Sequence, residues 1–247
     1  VVVAHCDEDL SWLADFGGVA RIWIYEKCGV KESERALQGL RLPCVVVELL
    51  PNFAMESIAY ATHMQRRYGN YARFTAFVQG SLFEHAPQGL FEDVVRSVHA
   101  GTFDAPFLHL NMRRFLSGTS FCLVDLFRRL FPTRAIPDAF GSYCCSQFVV
   151  RSDRLMAEPL KIYERIVAAL LGKLPLACAQ DVGYDARPGI AVSALFEHLW
   201  HAVLGEAPVL PLRRNDGRLP LFARVDLVPG ELPEQLGVLA APPMRAP

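Results

Sequence analysis

Val1-Val2-Val3-Ala4-His5-Cys6-Asp7-Glu8-Asp9-Leu10 opens the chain, and its reading decides the fold. An unbroken apolar, β-branched run, without the alternation of a half-exposed strand, describes a strand buried on both faces of a parallel sheet. The run then stops at three consecutive acids. In open α/β sheets ligands gather outside the carboxyl ends of the strands, so Asp7, Glu8 and Asp9 stand where such a fold handles ligands. Asp9 also precedes a helical stretch beginning at Leu10, where a carboxylate caps free backbone N–H groups. Both roles stay open for Asp9, whereas Asp7 and Glu8 are less easily explained by capping.

Outward from this strand, similar short apolar runs recur at 20–25, 44–49, 73–78, 106–110 and 147–151. Helical periodicity fills the gaps near 9–16, 54–68, 90–99, 119–131, 159–171 and 189–204. This alternation predicts an α/β fold with a mostly parallel central sheet flanked by helices. Ser152 and Pro159 supply helix-start signals after the last run. Beyond Gly205 the texture changes: Pro208, Pro211, Pro220, Pro229, Pro233, Pro242 and Pro243 interrupt helix and ladder bonding alike. The expected organisation is one domain over 1–205, followed by an irregular, extended, Pro-rich tail over 206–247 that packs on the domain or leaves it.

The 247 residues are 52% hydrophobic and 21% charged, a composition that supports a packed core. A net charge of -1, with the Arg66-Arg67, Arg113-Arg114, Arg128-Arg129 and Arg213-Arg214 pairs scattered, argues against nucleic-acid binding. No apolar run approaches the roughly 20 residues that a membrane span needs. Seven cysteines lack zinc-type C-x2-C pairs and are read as mainly buried and structural, with at least one free thiol unless two chains share a bond. The start on Val1, without Met or a basic leader, reads as an excised domain. A secretory-lumen location is expected if an upstream anchor was removed, and a cytoplasmic one otherwise.

Further polar groups follow the other strand runs. Asn52 precedes a helix on which Glu56, Tyr60, His63 and Arg67 share one face. Glu56 is out of register for a capping box with Asn52, so the stripe is either solvated or aims Asn52 and Glu56 into a cleft above the sheet. Gln79-Gly80 ends the fourth run, where glycine permits close backbone approach to a ligand. Glu84-His85 just beyond offers oxygen and nitrogen ligands for a divalent ion, or a plain turn. Near the end of the domain, Glu197 and His201 lie four apart on an amphipathic helix: Glu197 is a candidate general base, or simply the helical partner of His201. The Glu197-His198-Leu199-Trp200-His201 run is not the H-E-x-x-H zinc pattern, and G-x-G-x-x-G, P-loop and G-x-S-x-G motifs are absent.

Taken in order, Glu8-Asp9-Leu10-Ser11-Trp12-Leu13, Tyr25-Glu26-Lys27, Leu50-Pro51-Asn52 with Glu56, Phe77-Val78-Gln79-Gly80 with His85, Ser146-Gln147-Phe148-Val149-Val150 and Glu197-His198-Leu199-Trp200-His201 resemble the family called domain of unknown function 3431, over roughly 1–205. The layout of that family resembles a nucleotide-sugar glycosyltransferase of the GT-A, Rossmann-like type. The resemblance implies a sugar transfer from a nucleotide-sugar donor to a glycan or other hydroxyl acceptor. It implies that Asp7, Glu8, Asp9 and Lys27, with Asn52, Glu56, Gln79 and Gly80, line the donor site, and that Glu197 and Asp9 serve the chemistry. Such enzymes usually hold manganese or magnesium on an Asp-x-Asp motif after the fourth strand. This chain has Gln79-Gly80-Ser81 there, which leaves Glu84 or His85 to substitute, Lys27 to stabilise the leaving group, or a non-catalytic carbohydrate- or nucleotide-binding module of the same fold.

Overall fold

All six apolar runs enter one sheet. The computed structural model describes residues 1–16, 21–42, 44–118, 120–174, 176 and 190–224. In chain order the elements are β1 (Val2–His5), β2 (Ile22–Glu26), α1 (Val30–Ala36), β3 (Val45–Leu49), α2 (Met55–Arg66), β4 (Phe74–Gln79), α3 (Gln88–His99) and β5 (Phe107–His109). They continue with β6 (Arg114–Gly118), α4 (Phe121–Leu130), β7 (Ala139–Tyr143), β8 (Phe148–Arg151), α5 (Ser152–Ala157), α6 (Leu160–Leu170), α7 (Ile190–Glu197) and α8 (Trp200–Val203). Cys178 and the tail beyond 224 lie outside the described residues.

The sheet order is β3-β2-β1-β4-β8-β5, with β6 and β7 forming a separate pair. Strands β3, β2, β1 and β4 are mutually parallel, whereas β8 runs antiparallel to both β4 and β5. The sheet is therefore mostly parallel. The reversal at β8 is invisible to periodicity, because a buried strand reads the same in either direction; the turn that leads out of β7 sets it. The β6/β7 pair and α1 were not expected. Arg114-Phe115-Leu116-Ser117-Gly118 carries no β-branched residue, and its partner strand lies beyond α4.

Side-chain alternation divides the core in two. Val3, Ile22, Ile24, Val78, Leu108 and Val149 face α3 and the short 3-10 turn at Ser11–Asp15. Val2, Ala4, Tyr25, Phe77, Phe107 and Phe148 face the layer that contains α2, α4, α6, α7 and α8. Coverage of both faces is why β1 and β8 read as continuous apolar runs, whereas edge strand β3 leaves Val46, Val47 and Leu49 exposed. Helix α2 packs directly on β1, with α6 and α7 beside it. Glu56, Tyr60 and His63 are consequently buried, which overturns the solvated-stripe reading. The face is polar in sequence but lies under a second helical layer. Only Arg67 reaches the edge, with its guanidinium 3.8 Å from the centre of the Trp23 ring.

The helix expected over 189–204 breaks at His198–Leu199 into α7 and α8. Residues 206–224 pack on the domain: Val209 bridges to Gly141, Leu219 and Ala223 join the core, and Arg213 is 2% exposed. The Arg213 guanidinium donates to the carbonyls of His109 and Asn111 and lies over the Tyr143 ring. Cys122, in α4, packs against the core and is disulfide-bonded, whereas Cys6, Cys28, Cys44, Cys144 and Cys145 sit on loops at strand ends. Cys6 and Cys28 form a disulfide across the ends of β1 and β2. Cys44 is exposed, and Cys144 and Cys145 are free and half-buried.

Candidate functional site

The parallel order reverses between β1 and β4, and this is the switch point where open sheets place their ligands. The carboxyl ends of β1 and β2 are tied together first. His5 Nδ1 donates to Glu26 Oε2 at 2.6 Å, and the other Glu26 oxygen accepts the N–H groups of Cys28 and Gly29. Glu26 is thereby committed to holding the loop that presents Lys27. Across the switch point, the Gly80 N–H donates to the Ala4 carbonyl, and the Gly80 carbonyl accepts from Trp12 Nε1 at 2.8 Å.

Glu8 folds back over this junction. Its Oε2 accepts the Cys6 N–H at 2.7 Å and stands 2.6 Å from where a β-carbon on residue 80 would be. Glycine at 80 is thus explained by a close approach, as the sequence suggested, but the approaching group is a side chain of this chain. Asp7 and Asp9 point outward and are exposed. Asp9 accepts both the N–H and the hydroxyl of Ser11, and these bonds hold its carboxyl below the usual range. Asp9 is thus engaged locally with Ser11, while the N-cap of the 3-10 turn is Leu10, without a side-chain cap bond.

Two carboxyls, buried Glu56 and half-buried Glu197, interact electrostatically at this edge. Glu56 begins α2 immediately after Ala54 and Met55, which are both left-handed at φ 50° and 48°. Two consecutive non-glycine residues in that region are costly and mark a position determined by its surroundings. Burial, then the charge of Glu197, pushes the Glu56 carboxyl up to about 7, partly offset by Lys27. Glu197, at the end of α7, accepts the Cys145 N–H at 3.2 Å. Its carboxyl is raised by burial, against the lowering effects of that bond and of His85. Ser146 lies beside Glu56, with its hydroxyl outside ordinary hydrogen-bond geometry. Tyr60, one helical turn from Glu56, has its hydroxyl buried without a partner.

The turn joining β7 to β8 holds this arrangement. Gln79 donates its N–H to Gln147 Oε1 and its side-chain amide to the Cys145 carbonyl, both at 3.1 Å. Cys145 and Ser146 are again consecutive left-handed residues, at φ 69° and 50°. Lys27 is half-buried; burial lowers its ammonium, while Glu56, Glu8 and Glu26 support it. It makes no ion pair at contact distance among the described residues. Asn52 rests its amide 3.2 Å from Cys28 Sγ, at the outer rim.

The fold therefore brings Glu8, Lys27, Asn52, Glu56, Gln79, Gly80 and Glu197 to one edge of the sheet. His85 is exposed at the rim within electrostatic reach of Glu197, and Glu84 is exposed and accepts from Ser81 Oγ. Among the described residues no group of three or more His, Cys, Asp or Glu side chains is placed to hold a metal ion. Sequence reading missed the Cys144-Cys145-Ser146 turn and the Glu26 hub. The only advance sign was the presence of Ser146 and Glu26 in the ordered motifs.

A cavity of about 570 Å³ lies at the opposite edge, among Val2, Arg21, Trp23, His63, Arg73 and Phe74. No carboxylate lines it. Its Arg67 is paired with Glu48 and burial holds His63 down at about 3, while Arg21 and Arg73 also line it. Glu56, Glu197 and Lys27 lie instead at the carboxyl ends of the strands, where strand-end chemistry belongs.

Residues 111–216 match the model of a family described as "Protein of unknown function (DUF3431)". The match supports the family resemblance over that stretch, which holds β6 to β8, the Cys145 turn and Glu197. It extends beyond 205 to the buried Arg213 and does not reach the N-terminal strands. Searches of curated proteins and of solved structures found no match to this chain. No described helix is long and apolar enough to cross a membrane.

Proposed function

We propose that the protein is a glycosyltransferase-like enzyme of GT-A-like layout, moving a sugar from a nucleotide-sugar donor to a hydroxyl acceptor. The observation that carries this reading is Glu197, a carboxyl raised by burial yet anchored by a backbone N–H, whose charge also raises Glu56 near the strand-order reversal. The order β3-β2-β1-β4 is that of open sheets that bind nucleotides across this crevice. Glu197 accepts the proton of the acceptor hydroxyl as its oxygen bonds to the anomeric carbon, and the bond from that carbon to the diphosphate oxygen breaks. Lys27 faces the departing negative charge. General-base assistance of this kind contributes roughly 10² to 10⁴ in rate. No step passes through a metal ion.

One observation favours a second reading, a non-catalytic carbohydrate- or nucleotide-binding module. The Glu8 carboxylate occupies the crevice between β1 and β4 that a donor phosphate would approach, and like charges repel there. Thermal shift against a panel of nucleotide sugars, with and without manganese, tests binding. Donor hydrolysis by wild type and Glu197→Gln tests chemistry. The transferase reading expects a shift with at least one donor and a hundredfold or greater loss of turnover in Glu197→Gln. Binding with equal turnover in both proteins removes Glu197 as base, binding without turnover leaves the module, and the absence of any shift at millimolar donor ends both readings.

A further inference from the structure

Cys144 and Cys145 are adjacent, free and half-buried, on the turn that holds Glu197. Both backbone groups of Cys145 are in use: its N–H donates to Glu197 and its carbonyl accepts from Gln79. The Cys144 N–H is fixed to the Arg113 carbonyl at 2.9 Å. The interaction between the two neighbouring thiols holds the Cys144 thiol below its ordinary range and raises Cys145. Left-handed Cys145 and Ser146 make this one of two strained segments facing the cleft.

We propose that Cys144-Cys145 is a reversible thiol-modification site that reacts with low-molecular-weight disulfides of the glutathione disulfide class and closes a bond between the two neighbouring residues. The Cys144 thiolate attacks one sulfur of the reagent, forming a mixed disulfide and expelling one thiolate. That thiolate takes the Cys145 proton. Cys145 sulfur then attacks Cys144 sulfur, the mixed disulfide breaks, and a second thiolate leaves with the proton that Cys144 had carried. Two protein thiols are oxidised and one reagent disulfide is reduced to two thiols.

Reversibility follows from geometry. Neighbouring Cα atoms stand about 3.8 Å apart across a trans peptide, short of the roughly 4.4–6.8 Å that disulfides ordinarily span. Such a bond is strained and is readily reduced. The Cys6–Cys28 bond in the same cleft spans 4.7 Å between Cα atoms, inside that range, and serves as an internal reference that stays oxidised. Closure turns the peptide between Cys144 and Cys145, which carries the N–H that Glu197 accepts. The inference stands apart from the transferase reading, because it requires only the turn and its two sulfurs.

The experiment uses native protein with glutathione disulfide, then mapping of the peptide that carries both cysteines by mass spectrometry. Wild type is expected to yield a peptide lighter by two hydrogens, restored by mild reduction that leaves Cys6–Cys28 intact. Cys145→Ser is expected to stop at a glutathione adduct on Cys144, and Cys144→Ser to react at least tenfold more slowly. Phenylarsine oxide, which bridges two sulfurs, should bind native wild type and neither variant. Failure of native wild type to bind the arsenical or to form the lighter peptide overturns the proposal, as does a pair that resists reduction as strongly as Cys6–Cys28.

Discussion

Replacing Glu56 by Gln makes stability climb with pH relative to wild type, and the size follows from the site. Burial and Glu197 raise the carboxyl from 4.5 when free to about 7 in the fold. Between those values the folded chain holds a proton that the unfolded chain has lost, so wild-type stability falls as pH rises through this window and levels off above about 7. The span of 2.5 units, 7 minus 4.5, at about 1.4 kcal/mol per unit amounts to about 3 kcal/mol. Glutamine keeps the shape and does not titrate. Urea unfolding of Glu56→Gln and wild type, taken every half unit from pH 4.5 to 8, should therefore show the variant gaining about 3 kcal/mol on wild type across the series. Carboxyls not coupled to Glu56 cancel in this difference. In a Glu197→Gln background the gain should shrink, because the second cause of the shift is gone. Curves for wild type and Glu56→Gln that run parallel over the whole range would falsify the assignment of a buried, protonatable carboxyl at this position.

Three further outcomes follow from the same geometry. Gly80→Ala places a β-carbon against Glu8 and should cost about 1–3 kcal/mol, and most of that cost should vanish in a Glu8→Ala background when both are measured in one double-mutant cycle. Converting both Cys6 and Cys28 to Ser opens a cross-link of sequence separation 22, and calorimetry or urea midpoints should register a loss of about 3 kcal/mol. A chain ended after Gly205 loses buried Arg213, Leu219 and Ala223; it should lack a cooperative unfolding transition, and Arg213→Ala alone should cost about 3 kcal/mol or more because two carbonyls lose a charged donor. A sharp, wild-type-like transition in the shortened chain refutes the view that the segment after 205 belongs to the core.

The sequence by itself determined the strands and most helices. Runs such as Val1-Val2-Val3-Ala4 and Phe77-Val78 are apolar because both faces of their sheet are covered, and that requirement is written residue by residue. It also marked the acidic loop, Asn52, Glu56, Gln79-Gly80 and Glu197 as polar groups at the ends of elements. What it left open was which of them turn inward. Asp9 and Glu8 are neighbours of like charge, yet Asp9 bonds Ser11 in solvent while Glu8 folds onto Gly80, 72 positions on in the numbering (80 − 8). Glu56 and His63 read equally well as a solvated stripe until the layer of α6 and α7 covers α2. The direction of β8, the β6/β7 pair, the Cys145 turn and the burial of Arg213 depend on partners far apart in the chain. Local patterns report the average environment of a residue. Only the tertiary structure decides which distant group meets it, and here that meeting brings Glu197 close enough for its charge to raise the Glu56 carboxyl.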